Sequence, residues 1–131
     1  MDNELLEKMW FLYDAGFEPD RWYSEINHTL SDKKQAKMVG LLRPGEKDSE
    51  KFEFYYEHDQ PYFTESRLWS LLPNRIGNNF LLITDIYIHY KNYDPREDAP
   101  DLISIDVSKF TLLEALLDLT IWAVKEGYLK V

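Results

Sequence analysis

The chain has 131 residues and a mass of 15.7 kDa, the size of one domain able to bury its own core. Hydrophobic residues at 44% and aromatics at 15% exclude a disordered chain, and the lack of cysteine removes disulfides, thiolate zinc sites, iron–sulfur ligation and cysteine nucleophiles together. A net charge of −9, with 15 acids and 8 bases in residues 1–65, leaves no basic patch for nucleic-acid phosphates; Lys33-Lys34 with Lys37 is the densest cluster.

The first predicted element is a helix capped by Asp2 or Asn3, with Leu5, Leu6, Met9, Trp10, Leu12 and Tyr13 at helical spacing. Gly16 ends it, and Phe17 is placed to fold back onto Leu12; Gly127 and Tyr128 repeat this ending near the other end of the chain. Arg21 to Ile26 has strand character, with Trp22, Ser24 and Ile26 on one side and Tyr23 and Glu25 on the other. Met38 to Leu42 is a short apolar run, and Arg43 to Ser49 a turn or exposed loop around Pro44-Gly45. Lys51 to His58 reads as a strand through Phe52, Phe54, Tyr55 and Tyr56, and antiparallel pairing of 38–42 with 51–56 follows.

A second, short helix follows Pro61, with Thr64 as cap, Leu68, Trp69, Leu71 and Leu72 on its buried side and Pro73 as its stop. Gly77-Asn78-Asn79 turns into one strand predicted over Phe80 to Tyr90, where Leu82, Thr84, Ile86, Ile88 and Tyr90 share a face. The polar connection 91–101 leads to an alternating strand, Leu102 to Val107, that closes an antiparallel hairpin with the preceding one. Thr111 and Glu114 form a capping-box pair ahead of Leu112 to Val124, which is apolar around most of its circumference and is therefore the expected core helix. The whole reads as a single α+β domain over residues 1–131. Its antiparallel sheet of three to five strands is covered on one face by an N-terminal helix, a short middle helix and a long buried C-terminal helix.

The run Leu68-Trp69-Ser70-Leu71-Leu72-Pro73, the strand Leu81-Leu82-Ile83, the helix from Thr111 to Leu117 and the ending Ile121 to Leu129 form a pattern. It resembles small uncharacterised proteins of bacteriophages, prophages and bacterial mobile elements, which share an "LLP … ALxxLxIWLxxxGYL" arrangement. Ala123 departs from it where the pattern has leucine, and Ala15-Gly16-Phe17 matches the group's opening helix end. The resemblance implies a compact α+β domain of mobile-element origin and brings no catalytic residues with it.

Motifs of chemistry are scarce. The histidines are His28, His58 and His89; a metal reading pairs His58 with Asp59 or Asp85 with His89, but the latter two stand roughly 13 Å apart on a straight strand. Glu53 and Glu57 flank aromatics as a paired-carboxylate candidate, against their simpler placement on the wet face of a strand. Neither a phosphate-binding Gly-Lys-Ser/Thr loop nor a Gly-x-Ser-x-Gly elbow is present. The crowded aromatics remain, and Trp22, Tyr23, Tyr55, Tyr56 and Tyr62 are the candidate partner-binding residues, since such side chains anchor interfaces.

The expectation is a non-enzymatic interaction or accessory protein of a phage or mobile element. It takes a protein partner, with a homodimer as one form of it, and no cofactor, no metal, no direct nucleic-acid contact and no membrane. Two alternatives stand beside it: an acidic DNA mimic that inhibits a nucleic-acid-binding protein, and an enzyme whose site is assembled between residues 18–62 and the sheet. The opening Met1-Asp2-Asn3-Glu4 lacks the basic start of a secretory signal, and the apolar stretches fall short of the ~20 residues of a membrane span, so a cytoplasmic location is expected.

Overall fold

A computed structural model describes residues 2–24, 28–33, 37–42, 52–57, 59–93, 100–108 and 110–131, with 37–42 and 52–57 described through their backbone. Helix α1 spans Asn3–Asp14, and the Asp2 carboxylate caps it by accepting from Glu4 N at 2.9 Å. At its far end Gly16 takes φ +103°, which lets Gly16 N donate to Tyr13 O and Phe17 N to Leu12 O. Helix α3, Leu112–Lys125, ends in the same way: Gly127 takes φ +80°, while Gly127 N and Tyr128 N donate to Val124 O and Ala123 O. Both expected caps are therefore Schellman motifs.

Thr111 caps α3 by accepting from Glu114 N at 3.1 Å. Along the helix Ala115, Leu116, Leu117, Leu119, Thr120 and Ala123 are buried, and the Thr120 hydroxyl satisfies itself on Leu116 O at 2.6 Å. The helix lies alongside α1 and runs the same way: Lys8 Nζ meets Asp118 Oδ1 at 2.8 Å, and further along Lys125 Nζ stands 5.3 Å from the Phe11 ring centre. Helix α2, Glu65–Leu71, packs on α3 through Leu68 and, just past its end, Leu72. Trp69 was expected on this buried side but is 40% exposed. Leu68, Leu71 and Leu72 follow the i, i+3, i+4 stripe, and one further residue from Leu68 turns the side chain about 100° away from it.

Among the described residues nine strands complete the α+β fold. Strands β1 (Arg21–Ser24), β2 (Thr29–Ser31) and β5 (Gln60–Tyr62) form an antiparallel sheet in the order β2-β1-β5. Strand β3 (Lys37–Leu42) pairs with β4 (Phe52–Glu57) in register from Lys37↔Glu57 to Leu42↔Phe52, the expected pairing; the loop at 43–49 and the strand ends at Glu25-Ile26, Lys51 and His58 lie outside the described residues. The third sheet runs β6-β7-β8-β9, antiparallel throughout, from β6 (Arg75–Ile76), β7 (Asn79–Ile83), β8 (Tyr87–Asn92) and β9 (Ile103–Asp106). Its β8–β9 ladder realises the expected hairpin; the connection at 94–99 lies outside the described residues.

The single strand expected over Phe80 to Tyr90 is instead the β7–β8 hairpin. Thr84 makes the reversal: its Oγ1 accepts from Tyr87 N at 2.9 Å and Ile86 N at 3.3 Å, and its own N–H donates to Tyr87 O at 2.8 Å. A threonine hydroxyl thus does work usually assigned to asparagine or glycine. The fold-back sets Ile83 opposite Ile88 and Leu81 opposite Tyr90, so the face expected for Leu82 with Ile88 and Tyr90 is exchanged across the turn. Ile88 and Tyr90 then enter a core shared with Met9 and Leu12 of α1, Phe17, Phe63, Leu68, Leu72 and the buried side of α3. Among the described residues no helix is long and apolar enough to cross a membrane.

Candidate functional site

Alternation along β7 and β8 gives the four-stranded sheet two faces. Leu81, Ile88 and Tyr90 turn to the helices; Phe80, Leu82, Tyr87, His89 and Lys91 take the other side, joined by Tyr93 just past the strand end. On this outer face Phe80 is 41% exposed, Tyr87 43% and Tyr93 51%. Phe80 and Tyr93 meet edge to face at 5.5 Å between ring centres. Arg75, opposite Phe80 in the β6–β7 register, holds its guanidinium carbon 5.2 Å from the Phe80 ring centre, and Lys91 Nζ stands 5.7 Å from that of Tyr93. Each cation faces the electron-rich side of a ring.

Towards β9 the same face carries His89, 8% exposed, whose Nδ1 lies 2.8 Å from Asp101 Oδ2. Its Nε2 is buried without a hydrogen-bond partner among the described residues, and the Tyr87 ring centre is 6.3 Å away. The carboxylate partner of His89 is therefore Asp101 across the hairpin; Asp85 belongs to the β7–β8 reversal and does not join it. Among the described residues no group of three His, Asp or Glu side chains is placed to hold a metal ion.

The sequence-predicted candidates fall elsewhere. Trp22, a candidate partner-binding residue, is 9% exposed, set edge-on against Tyr13 at 5.6 Å and paired with buried Pro61, so its ring is taken up in the packing under α1. Tyr23, on the other side of β1, is half-buried and its hydroxyl lies 3.0 Å from His28 Nδ1. Tyr62, half-buried on β5, lines a cleft of about 300 Å³ with Leu30, Thr64, Glu65, Ser66 and Leu113. Burial, then the nearby Glu65 and Asp20 carboxylates, raise its hydroxyl pKa. Tyr55 and Tyr56 lie on β4 opposite Val39 and Met38; their side chains, like those of Glu53 and Glu57, are outside the described residues. Trp22, Tyr23 and Tyr62 thus share one sheet without forming one exposed patch.

Two further depressions flank α1. One of about 80 Å³ lies against the start of α3 beside Phe110, and one of about 270 Å³ runs between α1 and α3 past Phe11, Ile121 and the Lys8–Asp118 pair. In that second depression Lys8 and Asp118 already pair with each other, and Lys125 lies over the Phe11 ring. Among the described residues the outer face of β6–β9 is where exposed aromatics, cations with no carboxylate partner and a buried imidazole come together. Sequence reasoning passed over it because the β7–β8 reversal has to be known before Phe80 and Tyr93 can be brought side by side. The usable signal was the odd-numbered series Tyr87, His89, Lys91, Tyr93. No family model matches the chain, and neither a curated protein nor a solved structure was found to match it.

Proposed function

We propose that the chain is a non-enzymatic interaction protein that engages a protein partner through the outer face of β6–β9. One observation carries this reading: Phe80, Tyr87 and Tyr93 stand more than 40% exposed on one rigid antiparallel sheet whose opposite side is the core. Aromatic rings held on a sheet bring large contact area at little cost in side-chain entropy, which is why such residues dominate interface energies. The resemblance of the 68–73 and 111–129 segments to phage and mobile-element proteins supports an accessory role in such an element. The cysteine-free composition supports action in the cytoplasm.

The test is affinity capture from the host with the full chain and with a Phe80→Thr, Tyr93→Thr double variant, alongside sedimentation of both. Threonine keeps strand propensity while removing the rings. A partner recovered by the parent chain and lost by the variant, or self-association lost in the same way, is the expected result. Equal recovery by both chains would overturn the assignment of this face.

A further inference from the structure

Resting on that reading, the geometry points to an acidic peptide segment of the partner as the occupant of this face, with its carboxylates on Arg75 and Lys91 and its apolar groups along Phe80 and Tyr93. Arg75 is held in place by hydrogen bonds, and both cations lie over rings of this face. Arg75 Nε donates to Gly77 O at 2.5 Å while its guanidinium lies over Phe80, and Lys91 lies over Tyr93. Among the described residues neither has a carboxylate within ion-pair distance, although Lys8 and Arg21 do. In a chain of net charge −9, two cations set over exposed rings of one sheet face, with Phe80 between them in the strand register and no carboxylate paired to either among the described residues, form a local site of opposite sign to the molecule as a whole. A carboxylate supplied from outside completes each cation–ring pair with a charge-assisted contact.

Single-stranded nucleic acid also combines anions with flat groups, but it binds by laying bases on open ring faces. Here Arg75 occupies a face of Phe80, Lys91 occupies a face of Tyr93, and the two rings meet edge to face. The free capacity of this surface is therefore charge at the cations and ring edge between them, which suits side-chain carboxylates with apolar neighbours. The surplus of acids elsewhere on the chain repels a polyanion that extends beyond the patch; a short acidic segment avoids that repulsion.

The experiment titrates the isotope-labelled full chain with three probes, reading the amide resonances of β6–β8. The probes are a peptide of about twelve residues repeating Glu-Phe-Asp-Gly, its amide counterpart repeating Gln-Phe-Asn-Gly, and an oligothymidylate of similar length. The expected result is that the acidic peptide shifts resonances around Phe80, Lys91 and Tyr93. Its affinity falls at least about tenfold for the amide counterpart, and equally for the Arg75→Gln, Lys91→Gln variant, with a marked loss on raising salt. The inference is overturned if the amide peptide binds as well as the acidic one, if only the oligothymidylate shifts these resonances, or if the acidic peptide leaves them unmoved. Any of these results leaves the capture comparison with Phe80→Thr, Tyr93→Thr standing on its own, so the failure of the acidic occupant is separable from failure of the interaction reading.

Discussion

Gly16 sits at φ +103°, and a Cβ built there would lie 2.9 Å from Val131 Cγ2; Gly127 sits at φ +80° with nothing within 4 Å. The two caps share the paired hydrogen bonds of the motif and differ in φ and in this contact, so their alanine variants compare strain alone with strain plus crowding. Gly127→Ala is expected to cost about 1–2 kcal/mol from backbone strain alone, and Gly16→Ala somewhat more, since its φ lies further from the left-handed helical region and the exposed Val131 side chain has to move aside. Urea unfolding of both checks this, and removal of Val131 should narrow the gap. Tyr90 offers a second single-residue test. Its hydroxyl donates to Pro73 O at 2.7 Å, and Tyr90→Phe is expected to cost about 1–2 kcal/mol by leaving that carbonyl without its donor. Burial raises the Tyr90 hydroxyl pKa, so the folded chain keeps a proton that the unfolded chain sheds above about pH 10. Stability is then level below that pH and falls as pH rises further. The raised pKa values of Lys8, from its Asp118 partner, and of Tyr62, from burial, act in the same direction. Chemical unfolding between pH 9 and 11 should accordingly show a shallower alkaline fall in Tyr90→Phe, though not a flat one.

At the scale of elements, Thr64 and Thr111 hold equivalent caps in unequal surroundings. Thr111 accepts from Glu114 N, whereas Thr64 accepts from Arg67 N and also donates from Oγ1 to Asp20 Oδ2, while its N–H donates to Asp20 Oδ1. Thr111→Ala is expected to cost about 1 kcal/mol and Thr64→Ala closer to 2 kcal/mol, because the second loss also strips Asp20 of a partner. Thermal or urea unfolding of the pair reads the difference. Those caps were legible in the sequence because a cap is a contact between residues three apart. The helices could therefore be placed to within a residue or two from Asp2, Thr64, Thr111 and the two glycines. The strands were less legible for the converse reason. β2 and β5 have three residues each, too short for a period, and β2 is reached through His28 at φ +52°, a conformation for which its sequence gives no glycine signal. Likewise the β7–β8 reversal is set by the Thr84 hydroxyl, and the short polar step Thr84-Asp85 keeps the alternation of the flanking residues, so two strands and one longer strand have the same pattern.

For the molecule as a whole, one sheet serves two purposes. Its inner side gives Ile88 and Tyr90 to a core closed by α1, α2 and α3, and its outer side keeps Phe80, Tyr87 and Tyr93 in contact with water. The inner purpose was readable in advance, because Leu112 to Val124 had too little polar surface to face solvent. The outer one was not: the densest aromatic run lies at Phe52 to Phe63, with Trp22-Tyr23 beside it, while exposure depends on which side of a sheet each ring takes. Density of aromatics marked packing at Trp22; the spacing of Tyr87, His89, Lys91 and Tyr93 marked the surface. The claim that the outer rings are kept for contact and not for folding is tested most directly by urea unfolding of Phe80→Thr, Tyr93→Thr beside Leu117→Ala. Leu117 is fully buried, and its truncation should cost about 2–5 kcal/mol, whereas the double surface variant should lose no more than about 1 kcal/mol per ring. A double variant as unstable as Leu117→Ala would mean that these rings hold the fold together, contradicting their assignment to a binding face.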